Sequence, residues 1–220
     1  MPTRFLADGY SRKGRRDYQQ DAYDVSRTRL LVCDGMGGHE GGDKASAAAV
    51  AVAKAWKDTA NIGGLFMAAQ SVIAKAAGTP EAGTTMVLVQ TTGSPSRLVC
   101  AAVGDSPAYH WSSEAKRLKL LYYPHRDAGG GLLKGLFGFD SKHKACMPTV
   151  VHFTVKPGDL IVVGSDGLID GSSTLRVLNQ VMLENERERP GLIARRLVDA
   201  AYAAGSEDNI TAVVGRVTKS

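Results

Sequence analysis

Aromatic residues make up only 6% of this 220-residue chain, and cysteine occurs three times, as Cys33, Cys100 and Cys146. Three widely spaced cysteines without a CxxC pair suggest neither a disulfide framework nor a cysteine zinc site. Each is expected to pack as a small apolar side chain. No apolar run approaches the roughly 18 residues that a membrane-spanning helix needs. The opening Met1-Pro2-Thr3-Arg4 carries no apolar leader, so no membrane association is expected and the cytoplasm is the expected compartment. Charge of one sign is not concentrated either: 27 Lys and Arg against 22 Asp and Glu leave +5. The basic residues are scattered and no aromatic stacking series accompanies them, which argues against a nucleic-acid partner. Nucleotide-type phosphate loops are missing too. No GxxxxGK[ST] occurs, Gly35-Met36-Gly37-Gly38 does not complete GxGxxG, and Gly164-Ser165-Asp166-Gly167 is not GxSxG. His110, His125, His143 and His152 lack metal-ligand spacing, and His39 reads as a surface or capping residue.

What is present is apolar residue in quantity: 44% of the chain, enough to fill one continuous core, so residues 1–220 are expected to form a single domain. Short β-branched runs bounded by Gly, Pro, Asp or Ser read as buried strands at 30–33, 85–91, 97–103, 150–155, 160–164 and 210–217. The turn Lys156-Pro157-Gly158-Asp159 fixes where the run from Leu160 begins. Helices are expected over 44–57 and 65–77, which are Ala-rich, and over 175–189 and 191–204, where Pro190 ends one helix and opens the next. The order lacks the regular βα alternation of a doubly wound sheet. It predicts an α+β domain of two packed antiparallel sheets with one helical pair on each outer face. The segment 128–140 has five glycines and few polar residues, and is expected to act as a mobile lid or partner contact.

A repeated local pattern carries the chemistry. Asp34-Gly35 follows Leu30-Leu31-Val32-Cys33, Asp105-Ser106 follows Cys100 to Gly104, Asp166-Gly167 follows Ile161 to Ser165, and Asp208-Asn209 precedes the last strand. Any one of these aspartates is explained as a turn former, because its side chain bonds nearby backbone amides. Four gathered at one edge of a sandwich repel each other unless protonated or neutralised by cations. Hard divalent ions such as Mg²⁺ or Mn²⁺ take oxygen ligands, and a glycine after Asp lets a backbone carbonyl approach as well. A two-metal carboxylate site is the sharper expectation.

These residues carry a resemblance. Gly14-x-Arg16-x-x-Gln19-Gln20-Asp21, Val32-Cys33-Asp34-Gly35-Met36-Gly37-Gly38-His39, Gly83-Thr84-Thr85, Val103-Gly104-Asp105-Ser106, Gly164-Ser165-Asp166-Gly167-Leu168 and Ser206-x-Asp208-Asn209-Ile210-Thr211 follow one another over nearly the whole chain. In this order and spacing the chain resembles the metal-dependent serine/threonine protein phosphatases of the 2C class, in their short bacterial form. The resemblance implies a four-layer α-β-β-α sandwich. It implies that Asp34 bridges two Mn²⁺ or Mg²⁺ ions, that Asp166 and Asp208 complete the first site, and that the Gly35 carbonyl serves the second. Asp21 acts through metal-bound water on this reading, Asp105 with Asp166 holds a possible third ion, and Arg16 binds the substrate phosphate. The implied activity is hydrolysis of phosphoserine and phosphothreonine by a hydroxide bridging the two ions. The implied partners are phosphorylated proteins and an opposing Ser/Thr kinase, with the chain a monomer.

The chain also departs from the family pattern. Gln19-Gln20 stands where relatives carry Asn-Glu or Asn-Gln, and Met36 stands where many eukaryotic relatives place a proton-donating His. Pro107 replaces an Arg, and Tyr123-Pro124-His125-Arg126-Asp127 stands in for the Thr-x-Asp-His-Ser-like flap. These departures keep open an alternative, a catalytically silent module of the same fold that binds a kinase or regulator.

Overall fold

The computed structural model describes residues 2–37, 41–76, 82–126, 132, 135–137, 147–170 and 174–219. In chain order these form β1 (Thr3–Arg12), β2 (Asp21–Val25), β3 (Arg29–Met36), α1 (Gly42–Ala55), α2 (Ile62–Ala76), β4 (Gly83–Thr84), β5 (Met86–Thr91), β6 (Arg97–Val103), β7 (Ala108–Trp111), β8 (Leu118–Leu120), β9 (Leu136–Phe137), β10 (Thr149–Thr154), β11 (Leu160–Gly164), a 3-10 turn (Asp166–Leu168), α3 (Thr174–Asn185), α4 (Pro190–Ala203) and β12 (Ile210–Lys219).

Two antiparallel sheets result, one ordered β1-β12-β11-β7-β8 and the other β10-β6-β5-β3-β4-β9, with β2 also paired to β3. Their central strands read as unbroken apolar runs because both faces are covered. On β3, Leu30 and Val32 face the other sheet, while Leu31 and Cys33 face α1 and α2. On β11, Ile161 and Val163 face inward, while Leu160 and Val162 pack under α3 and α4. This is the two-residue period of a strand applied to three apolar layers. Helix α4 buries Ile193, Ala194, Leu197, Val198 and Ala201, one stripe of its surface, and Pro190 occupies its first turn as the sequence implied. The four layers are therefore helix pair, sheet, sheet, helix pair.

Several expectations shift. The third helix ends at Asn185 rather than 189. Strand β1 escaped the sequence pattern because it is an edge strand whose Arg4 and Leu6 face solvent, yet it pairs with β12 over ten positions, Thr3 to Arg12. Asp34 does not follow its strand: β3 continues through Met36, because Gly35 and Met36 pair with β4. Cys33 and Cys100 are buried as expected, whereas Cys146 and most of 128–140 lie outside the described residues.

Candidate functional site

Pairing of β2 with β3 sets Asp21 directly opposite Asp34, two like charges at one cross-strand position. The ladder beside Asp34 is remade by Thr85, which sits between β4 and β5. The Asp34 N–H donates to Thr85 Oγ1 at 3.0 Å and the Thr85 N–H donates to the Asp34 carbonyl at 2.8 Å. Glycine is required at 35 by close approach: a Cβ there would lie 2.2 Å from the Gly42 carbonyl oxygen and 2.6 Å from that of Gln20.

The loop ends of the sandwich bring the other acids to the same cleft. Asp105 follows β6, Asp166 opens the 3-10 turn after β11, and Asp208 precedes β12. A cleft of about 310 Å³ is lined by Arg16, Asp34, Gly35, Asp105, Asp166 and Asp208, together with Gln20 and Met36. Six of the seven residues singled out in the sequence thus share one cavity. Asp21 does not line it. Its Oδ2 accepts the Thr211 hydroxyl at 2.6 Å, and its buried Oδ1 has no hydrogen-bond partner. Asp34 Oδ2 accepts the Asp166 N–H at 3.3 Å. Arg16 reaches Asp208 Oδ2 at 2.6 Å. Arg126 donates through Nε to Asp105 Oδ2 at 2.7 Å and through a terminal nitrogen to Asp166 Oδ2 at 2.6 Å.

The cluster resists ionisation. Burial, then Asp21 and Asp166, push the Asp34 carboxyl well above the usual carboxylate range. Burial, reinforced by Asp166 and Asp208 against the Thr211 hydrogen bond, pushes Asp21 up to about 7. Burial also raises Asp166, with Asp105 and Asp208 adding to it. Among the described residues no three His, Cys, Asp or Glu side chains already converge as a metal-ligand group. Asp208, Asp105 and Asp166 are turned onto guanidinium groups instead. The donors nevertheless fit hard divalent ions: all are oxygens, one buried carboxylate oxygen, on Asp21 behind the cleft, is orphaned, and added positive charge relieves the repulsion between ionised carboxylates.

Asn209 reads from the sequence either as orienting Asp208 through its side-chain amide or as capping a turn, and the structure gives it a different way of acting. Asn209 orients Asp208 through its backbone, whose N–H donates to Asp208 Oδ1 at 2.7 Å. Its side-chain amide instead ties down the loop carrying Arg16: Nδ2 donates to the Lys13 and Tyr18 carbonyls at 2.7 and 2.8 Å, and Oδ1 accepts the Gln20 N–H at 2.8 Å. The Ser-x-Asp-Asn-Ile-Thr run carried a signal for Asn209 and Thr211. Arg126 had no motif to betray it. His125, given no role above, accepts the Gly104 N–H at 3.0 Å. His39 lies outside the described residues.

The model of the family described as Stage II sporulation protein E (SpoIIE) matches residues 24–218. The chain belongs to the SpoIIE family. That match begins after Arg16 and Asp21, so it leaves both outside. Among solved structures, "PppA, a key regulatory component of T6SS in Pseudomonas aeruginosa" superposes with a TM-score of 0.84 at 24% identity, covering 98% of this chain and 100% of that one. The catalytic domain of the serine/threonine protein phosphatase PstP, in complex with two manganese ions, gives 0.83 at 23% identity, covering 99% and 100%. At these identities the likeness establishes the fold, that of the 2C-class phosphatases, as the motifs implied. A curated rice protein (Oryza sativa subsp. japonica), "Protein kinase and PP2C-like domain-containing protein", is 38% identical over 68 residues. The match spans 30% of this chain and 10% of the rice protein. No described helix is long and apolar enough to cross a membrane.

Proposed function

We propose that this SpoIIE-family chain is a Mn²⁺- or Mg²⁺-dependent phosphatase that hydrolyses phosphoserine and phosphothreonine in proteins, acting opposite a Ser/Thr kinase. The observation that carries the reading is the convergence of Asp34, Gly35, Asp166, Asp208 and Arg16 on one polar cleft from four separate stretches of chain. Asp34 would bridge two ions, Asp166 and Asp208 would complete one site, and the Gly35 carbonyl would serve the other, with Asp21 behind them. When bound, such a pair supplies Lewis-acid polarisation of a phosphoryl oxygen and of water.

The chain's own residues do the rest. Arg16 presents a planar donor fork at the mouth, 59% exposed, and exchanges Asp208 for two oxygens of an incoming phosphate. Asn209 keeps the Arg16 loop in place during that exchange. Among the described residues no histidine lines the cleft, and Met36 has no proton to give the departing serine or threonine oxygen. PstP, similar in fold, holds two manganese ions, which supports the choice of metal.

The test is hydrolysis of an aryl phosphate and a phosphothreonine peptide with Mn²⁺, with and without chelator, by the native chain and Asp166→Asn. Chelator-sensitive release that falls at least about 10²-fold in the variant is expected, the scale of losing one electrostatic contributor. Equal turnover in both would overturn the assignment. The silent-module alternative draws on the arginine pairs that hold three of the acids, and predicts binding of a kinase without turnover.

A further inference from the structure

We propose that Arg126 is a built-in cation at the Asp105–Asp166 position, where it takes the place of a third metal ion and fixes Asp166 for a two-ion centre. This rests on the two-ion reading above. The guanidinium engages Oδ2 of both aspartates at 2.7 and 2.6 Å, and so stands between the two carboxylates that an ion there would bridge. A divalent ion bridging these two carboxylates would have to share the space between them with a like-charged guanidinium, and Arg stays charged at every working pH.

Arg126 is held by a support that a loose surface side chain lacks. The segment 122–126 clasps the turn carrying Asp105 from both sides. The His125 N–H donates to the Gly104 carbonyl at 3.0 Å, and the Gly104 N–H donates back to His125 Nδ1 at 3.0 Å. That assignment leaves the proton on Nε2, which faces Thr149 Oγ1 at 2.9 Å. The buried Tyr122 hydroxyl donates to the Ser106 carbonyl. Glycine is required in the clasped turn itself: the φ of Gly104 is +110°, and a Cβ there would lie 2.6 Å from Thr85. Only 38% of the Arg126 side chain is exposed, and its two carboxylate partners are more buried than that.

Charge arithmetic agrees. Five aspartates, at 21, 34, 105, 166 and 208, carry five negative charges when ionised. Two divalent ions and Arg126 supply five positive ones, which leaves Arg16 for the phosphate. A third divalent ion would compete with Arg126 for both oxygens. Arg126 is thus a positioning residue that acts through Asp166.

The experiment counts ions rather than turnover. Native protein, Arg126→Ala, Arg126→Gln and Arg126→Lys are crystallised and soaked in millimolar Mn²⁺, ions are located by anomalous scattering, and bound metal is counted by equilibrium dialysis. Circular dichroism melting in chelator checks each fold, and Gln substitutes for Ala should the smaller side chain unfold the clasp. The expected result is two ions in the native chain, a gain of one at Asp105 and Asp166 in the Ala and Gln variants, and a return to two in Lys. Asp105→Asn should leave the native count at two. A third ion on Asp105 of the native chain, or no gain in either neutral variant, would overturn the proposal while leaving the two-ion reading intact. Absence of any ion in the native chain would instead sink that reading and this one with it.

Discussion

Asp159 and Asp34 are both aspartates sequestered within one sandwich, and they behave in opposite ways. Asp159, 3% exposed in the turn before β11, is saturated. Its Oδ1 accepts the Ser113 N–H and hydroxyl, both at 2.9 Å, and its Oδ2 accepts the Lys156 N–H at 2.9 Å and meets His110 Nε2 at 2.8 Å. Against the cost of burial, these donors hold its carboxyl below the usual range. Asp34 has one backbone donor at its carboxylate and faces two other acids, and its carboxyl is driven up. A buried acid with every lone pair answered is architecture; one left facing its own kind is waiting for a cation.

That contrast can be broken by substitution. Asp34→Asn should cost at least about 10²-fold in Mn²⁺-dependent turnover, yet raise the melting temperature in chelator, because it removes a buried acid whose ionisation burial and its acidic neighbours oppose. A drop in metal-free melting temperature would place Asp34 with the structural acids. Asp159→Ala should do the reverse. It strands several buried donors and costs about 3 kcal/mol in urea unfolding, with turnover per folded molecule unchanged at a temperature where the variant remains native.

Proton linkage sharpens the comparison further. Asp21, raised to about 7, takes up a proton on folding. Its contribution is fully present below the ordinary carboxylate value of about 3.9 and is lost as pH rises toward its folded value. Asp159, lowered, contributes above the ordinary value and loses that contribution as pH falls through its folded one. The urea midpoint of metal-free protein should therefore decline from about pH 4 to about pH 7, and Asp21→Asn should flatten that decline. An unchanged slope in the variant would exclude Asp21 as its source. The smallest effect is expected for Ser113→Ala. It removes one of the donors to Asp159 and costs about 1 kcal/mol, measured by the same unfolding curve.

Much of this was legible in the linear chain, for identifiable reasons. Leu30 to Cys33 and Leu160 to Gly164 announce themselves because both faces of each strand are buried, which demands unbroken apolar residues. The Asp-Gly steps stand out because close backbone approach excludes every other residue at Gly35. Strand β1 was hidden because an exposed edge relaxes the apolar pattern, and its pairing partner β12 lies at the far end of the chain. Arg126 was hidden because nothing local distinguishes it from the other basic residues.

The amino-acid order by itself determined the buried central strands and the four helices, that Asp recurs beside Gly or a small polar residue next to apolar runs, and that such acids suit hard cations, since all of this follows from local patterning and side-chain chemistry. Only the tertiary structure decided that Asp21 stands opposite Asp34, that Asp159 is satisfied while Asp34 is not, and that Arg126 closes over Asp105 and Asp166. Those outcomes depend on contacts between residues 13 to 46 positions apart in sequence, and desolvation and charge act through distance in space, which a string of letters does not contain.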